Sequence, residues 1–330
     1  MLSLLILLVA CKGCDALFFM PGFPAGPGTV EEPPPFDTGV DDPPDEDDTG
    51  DDLPPPQICA NMEVEPNDAV GSEQELPLEQ WMCGHFGDLG DNDGFIFDVE
   101  RPSWVRVRVR AEALGSPANP RVFIYDEDGE FEASIEDSYL SSDIDTTFKL
   151  DEPREIAIGI LEQESGSVQF GEEYEWRLMV SIVKAPVEWG IEEAEPNDAR
   201  ADANVVESGD RVFGRIEHGA RYDWYQIDIP DARTDVVIET DSWIHGSPLN
   251  PEIMVEGPDG EEVDRAFKHD AVSNYDAKVA FTATEPGAYM IRVGTCCEES
   301  TARTGGLPSW YVLNVNAQPS SVEGDTGTEE

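Results

Sequence analysis

The sequence predicts an all-β protein: two tandem antiparallel β-sandwich domains that follow an acidic, proline-rich tether. Three observations predict it: an internal repeat at a fixed offset, period-two alternation of apolar and polar residues within each copy, and an abrupt change of composition before the first copy. The repeat decides the architecture, because a segment written twice folds twice. Glu65-Pro66-Asn67-Asp68-Ala69 returns as Glu195-Pro196-Asn197-Asp198-Ala199. At the same offset Gly84 meets Gly214, Asp93 meets Asp223 and Phe95 meets Tyr225. After one inserted residue, Gly115-Ser116-Pro117 meets Gly246-Ser247-Pro248; later, Trp176, Leu178 and Val180 meet Tyr311, Leu313 and Val315. Two homologous domains are expected, at 59–184 and 190–317.

Within each copy the strands follow from the alternation. Val105, Val107 and Val109 are interleaved with Arg106, Arg108 and Arg110, so a strand there has one apolar and one charged face. Segments 236–239, 289–293 and 310–315 read the same way. Asp128-Gly129 and Asp259-Gly260 lie between apolar runs and predict hairpin turns, since glycine takes positive φ without steric cost. Eight or so strands per copy are expected, with short helical turns after Asn67-Asp68 and Asn197-Asp198 that those side chains can cap.

Ahead of the copies, residues 1–10 form an apolar run too short to span a bilayer, which takes about 20 residues. The run reads as a secretion signal. Its end, Leu8-Val9-Ala10-Cys11, is similar to a bacterial lipobox, which implies lipidation of Cys11 and a membrane anchor. The residue after it is Lys12 rather than Asp, which resembles lipoproteins sent to the outer membrane. Residues 11–58 are dense in proline and acid, with no Lys or Arg between Lys12 and Arg101. Like charges and proline keep such a segment extended, so ~45 residues at about 3.1 Å each reach on the order of 140 Å. An acidic tail, 318–330, is expected to be equally unstructured. With 20 basic against 71 acidic residues the net charge is −51, and nucleic acid is excluded as a partner. The three Asp-Thr-Gly triplets lie in this polar sequence, not in the apolar loops an aspartic protease needs.

The opening motifs Glu65-Pro66-Asn67-Asp68 and Glu195-Pro196-Asn197-Asp198, with Gly84 and Gly214 and with Asp93 and Asp223 entering an aromatic strand, resemble the bacterial pre-peptidase C-terminal domain. The resemblance implies a jelly-roll sandwich, found beside secreted peptidases, and calcium sites at the start of each copy. The first copy's candidate ligands are Glu63, Glu65, Asn67, Asp68, Asp91 and Asp93. The second copy's are Glu193, Glu195, Asn197, Asp198 and Asp223, with Arg221 standing in place of Asp91. Calcium takes six to eight oxygens, which a segment and a turn that meet can supply. The competing reading is that Asn and Asp close turns while the glutamates are solvated.

Export implies an oxidising route, so Cys59 and Cys83 are expected to form a disulfide; adjacent Cys296 and Cys297 are read either as a bridged pair or as free thiols. Catalytic residues are not expected: the four histidines form no ligand spacing and no Gly-x-Ser-x-Gly elbow occurs. The sequence therefore reads as a lipid-anchored cell-surface module for binding, adhesion or scaffolding, with an extracellular protein or glycan as ligand. Its alternatives are a carboxylate-dependent hydrolase and a structural spacer.

Overall fold

The computed structural model describes residues 59, 61–68, 71–88, 90–126, 129–135, 141–162, 170–217, 221–267, 276–296 and 306–320. The signal, Cys11, the tether, Asp128, Cys297 and the acidic tail after Ser320 lie outside them. Among the described residues the first sandwich comprises β1 (Asn61–Met62), β2 (Gln74–Glu75), β3 (Met82–His85), β4 (Asn92–Val99), β5 (Ser103–Arg110), β6 (Pro120–Tyr125), β7 (Phe131–Ile135), β8 (Ile144–Leu150), β9 (Arg154–Glu162) and β10 (Glu175–Val183). The second comprises β11 (Ile191–Glu192), β12 (Asn204–Val206), β13 (Arg211–Arg215), β14 (Tyr222–Ile229), β15 (Thr234–Thr240), β16 (Pro251–Glu256), β17 (Glu262–Phe267), β18 (Lys278–Ala283), β19 (Gly287–Thr295) and β20 (Trp310–Pro319).

Each sandwich has two five-stranded sheets, ordered β1-β3-β10-β5-β8 and β2-β4-β9-β6-β7 in the first. Adding ten to every strand number gives the order in the second. The eight longer strands of each copy pair antiparallel and interleave as in a jelly roll. The short strands β1, β2, β11 and β12 add parallel edges to this predicted pattern. Alternation sets the inner faces. Val105, Val107 and Val109 are fully buried and stand opposite Ile182, Val180 and Leu178, while Arg106, Arg108 and Arg110 face outward. Two separate cores result, centred on Trp176, Phe95 and Phe148 in one copy and on Tyr225, Tyr311 and Ile238 in the other.

The repeated Gly-Ser-Pro has a local cause. Gly115 and Gly246 end single-turn helices in the left-handed region, at φ 76° and 89°. Ser116 and Ser247 then donate their hydroxyls to the chain entering the last strand, at Glu173 O (3.2 Å) and Trp310 O (2.6 Å). A helical turn does follow Asn197-Asp198, at Arg200–Asp202, but its N-cap is Ala199 and no side chain caps it. Asn197 is buried instead and faces the interior.

A third apolar cluster, absent from the sequence reading, joins the sandwiches. Trp104, Val187, Phe213, Trp310 and Val312 pack together, with Trp104 and Trp310 edge to face at 5.0 Å. Trp310 Nε1 donates to Thr147 O (2.7 Å), Thr147 N donates to Gly246 O (2.8 Å), and Leu307 of the second copy enters the first copy's core. Both sandwiches fall in one compact unit.

Cys59 and Cys83 are disulfide-bonded across a sequence separation of 24. Closing a loop of that size restricts the unfolded chain by about 3 kcal/mol. Cys59→Ser with Cys83→Ser is therefore expected to lower the first sandwich's stability by that amount, read from denaturant midpoints with and without the pair. Cys296 is also disulfide-bonded.

Candidate metal centre

The segment that leaves β1 crosses the end of the first sandwich and brings its acids against β3 and β4. Glu63 is fixed at both ends: its N–H donates to Cys83 O (3.0 Å), and its Oε1 accepts from His85 N (2.8 Å) and lies 3.1 Å from His85 Nδ1. Gly84 makes this crossing possible. A Cβ there would collide with the Glu63 carboxylate and the Trp176 ring, and at Gly214 with Tyr311 and Glu193. Asp93 lies on β4, fully buried, with Oδ2 accepting from Trp176 Nε1 (3.1 Å).

Among the described residues, three side chains at this crossing keep buried polar atoms without a partner: Glu63 Oε2, Asp93 Oδ1, and both Oδ1 and Nδ2 of Asn67. Such atoms cost roughly 1–3 kcal/mol each when left unpaired. Carboxylate oxygens of Glu63, Glu65 and Asp93 lie within 4.8 Å of one another, as do those of Glu65, Asp68 and Asp91. Burial first, then the adjacent Glu63 carboxylate, pushes Asp93 up to about 10, so without a cation Asp93 keeps its proton at neutral pH. Asp91 is raised as well, mainly by burial. Something positive has to sit among these oxygens, and in the ion-free protein it is a proton. The residues fit calcium, a hard cation that takes oxygen donors only: Glu63, Glu65 and Asp93 with Asn67 Oδ1 would hold it, and Asp68 and Asp91 adjoin. The ion supplies positive charge where three carboxylates meet.

The second copy assembles the same carboxylates and satisfies more of their atoms, leaving Asp223 Oδ1 and Asn197 Oδ1 buried without a partner among the described residues. Oxygens of Glu193, Glu195 and Asp223 again lie within 4.8 Å, but Asp198 is exposed and outside the group. Where the first copy has Phe95 and Trp176, the second has Tyr225 and Tyr311. Tyr225 OH donates to Glu193 Oε2 (2.6 Å), Asn197 Nδ2 donates to the same oxygen (3.0 Å), the two tyrosine oxygens are 2.8 Å apart, and Tyr311 OH lies 2.6 Å from Asp223 Oδ2. Tyr311 OH donates to Asp223 Oδ2, and Asp223 is nevertheless pushed up to about 9, by burial first and then by the Glu193 charge. Asp223, Tyr311, Tyr225 and Glu193 thus form one hydrogen-bonded chain, for which the first copy, with Phe95 and Trp176, has no counterpart. Glu193 itself is pushed up to about 7 by burial, against the lowering effect of its donors.

A pH dependence follows. The folded state holds the Asp223 proton between the ordinary carboxylate range near 4 and about 9, where the unfolded chain has released it. Folded protein binds more protons in that window, so this group's contribution to stability falls as pH rises from about 4 and levels off above about 9. Tyr225→Phe, which copies the first sandwich, leaves Glu193 Oε2 short of a donor and is expected to cost about 2 kcal/mol in chemical denaturation.

Sequence reading placed the carboxylates but missed Trp176, Tyr225, Tyr311 and His85 as their partners. The available signal was the exchange of Phe95 for Tyr225 and of Trp176 for Tyr311 at matched positions: two hydroxyls gained at once on one site.

No protein-family model matches the chain, and no curated protein matches it. Among solved structures it is similar to the pre-peptidase C-terminal domain of a collagenase from Bacillus anthracis, at 14% identity and a TM-score of 0.27, covering 38% of this chain and 100% of that one. It is similar also to a secreted protein from Eubacterium rectale, at 6% identity and a TM-score of 0.24, covering 80% and 86%. A third similarity is to the tandem CBM51 modules of a family 98 glycoside hydrolase from Streptococcus pneumoniae, at 8% identity and a TM-score of 0.21, covering 74% and 85%.

Proposed function

We propose that this chain is a lipid-anchored module of the bacterial cell surface. Two joined sandwiches are displayed on an acidic tether, calcium holds the entry segment of the first, and the module binds an extracellular protein or glycan without chemical turnover. One observation carries the reading of binding over catalysis: the best-assembled acids are spent inside the fold. Asp93 and Asp223 are fully buried, and the Glu63 carboxylate is 5% exposed and tied to His85. A general acid must touch the bond it protonates, and these groups cannot reach a polymer. Their role is to close the start of each sandwich. The aromatic junction supports display, because it holds the two copies as one body at the end of the tether.

The anchor is tested by fractionation: wild type is expected with the membrane and Cys11→Ser in the soluble fraction. A Cys11→Ser chain that stays membrane-bound contradicts the anchor. Binding is tested by probing protein and glycan arrays with the full chain in calcium and in chelator. Capture without cleavage products is expected, and release of sugars or peptides would favour the hydrolase.

A further inference from the structure

The outer face of the β3-β10-β5-β8 sheet carries a feature that the calcium reading does not use. Arg106, Arg108 and Arg110 project from β5, and Arg177 stands beside Arg110 on β10. The three on β5 are spaced by two residues, so the row covers roughly 13 Å. Four of the chain's 20 basic residues thus share one face of a protein with net charge −51. The fold does not require them: at the matched places on β15 the second copy has Val237 and Glu239, just after β15 it has Asp241, and at the place of Arg177 it has Val312. One end of the face is covered by the second sandwich through Trp104 and Thr147. Arg106 borders that junction, lining a cleft with Trp243, Ile244 and His245 of the second copy, and Arg108, Arg110 and Arg177 follow it along the sheet.

Pairing along the row is incomplete. Asp145 serves two arginines, bidentate to Arg106 (2.7 and 2.8 Å) and at 3.2 Å from Arg110. Between them Arg108 has no carboxylate partner among the described residues. Its guanidinium lies 5.4 Å from the Trp81 ring centre, Nη2 meets Met179 Sδ at 3.7 Å, and Nε is buried without an acceptor. Burial and its arginine neighbours push Arg108 below its ordinary value, a cost that an added anion relieves. Arg177 likewise has no ion pair among the described residues.

We propose that this arginine face binds a uronate-bearing polysaccharide, a sugar chain with spaced carboxylates. Arg106 already grips the Asp145 carboxylate in the bidentate mode that suits a planar carboxylate; Arg177 offers the same fork, and Arg108, whose Nε is buried, adds positive charge beside it. The alternation of arginines with Asp145 favours a ligand that alternates charge with hydroxyls, since Asp145 accepts from hydroxyls and repels continuous anions. A chain of −51 also repels densely charged polymers and phosphate layers more than sparsely charged sugars. Trp81 adds an aromatic plane beside Arg108 for a sugar ring. The proposal rests on the binding-module reading and names its ligand class; Arg177, opposite Cys83, is the end of the row that adjoins the Gly84 crossing.

The test uses the full chain in calcium, with immobilised polygalacturonate as probe and neutral dextran, heparin, polyglutamate and anionic phospholipid vesicles alongside. Wild type is expected to bind polygalacturonate, with affinity falling as salt rises. Arg108→Gln and Arg177→Gln are each expected to weaken binding at least tenfold; Arg177 is on the surface, so its variant keeps the test open if Arg108→Gln does not fold. Absence of binding to polygalacturonate, equal or stronger binding to heparin, polyglutamate or vesicles, or variants that bind as wild type overturn the assignment. A calcium-dependent melting temperature measured on the same samples separates this failure from failure of the calcium-held module.

Discussion

Truncating Trp310 to alanine is expected to lower the unfolding free energy by about 3–5 kcal/mol, the range for removing a large buried aromatic. Trp310 is fully buried, packs edge to face on Trp104, and donates Nε1 to Thr147 O across the junction. Its loss removes apolar contact and also leaves a carbonyl without its donor. Because the residue belongs to β20 yet touches β5 and β8 of the other copy, the two sandwiches should cease to melt together. Calorimetry distinguishes this outcome: one transition in the wild type and two in the variant. A single transition of unchanged midpoint would remove the junction from the account of how the copies are joined.

Calcium is expected to raise the stability of the first sandwich by about 4.1 kcal/mol at a thousandfold excess over its dissociation constant, if the ion binds only the folded chain. The sign comes from the cluster itself. Asp93 keeps a proton at neutral pH in the ion-free protein, and an ion entering between Glu63, Glu65 and Asp93 must displace it. Apparent affinity should therefore rise with pH, by up to tenfold per unit for one proton released, until Asp93 ionises unaided near 10. Magnesium should substitute poorly, since it demands near-octahedral geometry at shorter distances. Asp93→Ala should abolish the calcium effect, and unchanged melting with calcium, magnesium and chelator would leave these residues as turn and packing groups only.

Much of the fold was legible, because both of its determinants are periodic. Val105, Val107 and Val109 name the inner face of β5 by alternation alone, and the repeat places the second sandwich wherever the first is placed. The parallel edge strands were not legible, since two-residue strands such as Asn61–Met62 carry no period. Nor was the junction. Trp104 sits at an outward position of β5, where the second copy has Asp235, and Phe213 sits outward on β13, where the first copy has Cys83. An aromatic at an outward position where its twin carries none is the signature of a covered patch, but only the fold says what covers it. At the site, sequence proximity named Glu63, Glu65 and Asp68, and the repeat named Asp93. Sequence did not distinguish Asn67 as a buried group from a turn residue, because burial depends on the chain crossing at Gly84. The division of labour between the copies depended on two hydroxyls whose partners lie more than thirty residues away.

The central claim is that the first copy exchanges a buried proton for calcium while the second keeps its proton on a tyrosine-linked carboxyl pair. Titration calorimetry of the full chain with calcium at pH 7, repeated in two buffers of different ionisation enthalpy, tests it in wild type, Asp93→Asn and Asp223→Asn. The account predicts saturable binding with proton release in the wild type, its loss in Asp93→Asn, and its retention in Asp223→Asn. Binding that survives Asp93→Asn and is lost in Asp223→Asn, or no heat and no proton release in the wild type, would contradict it.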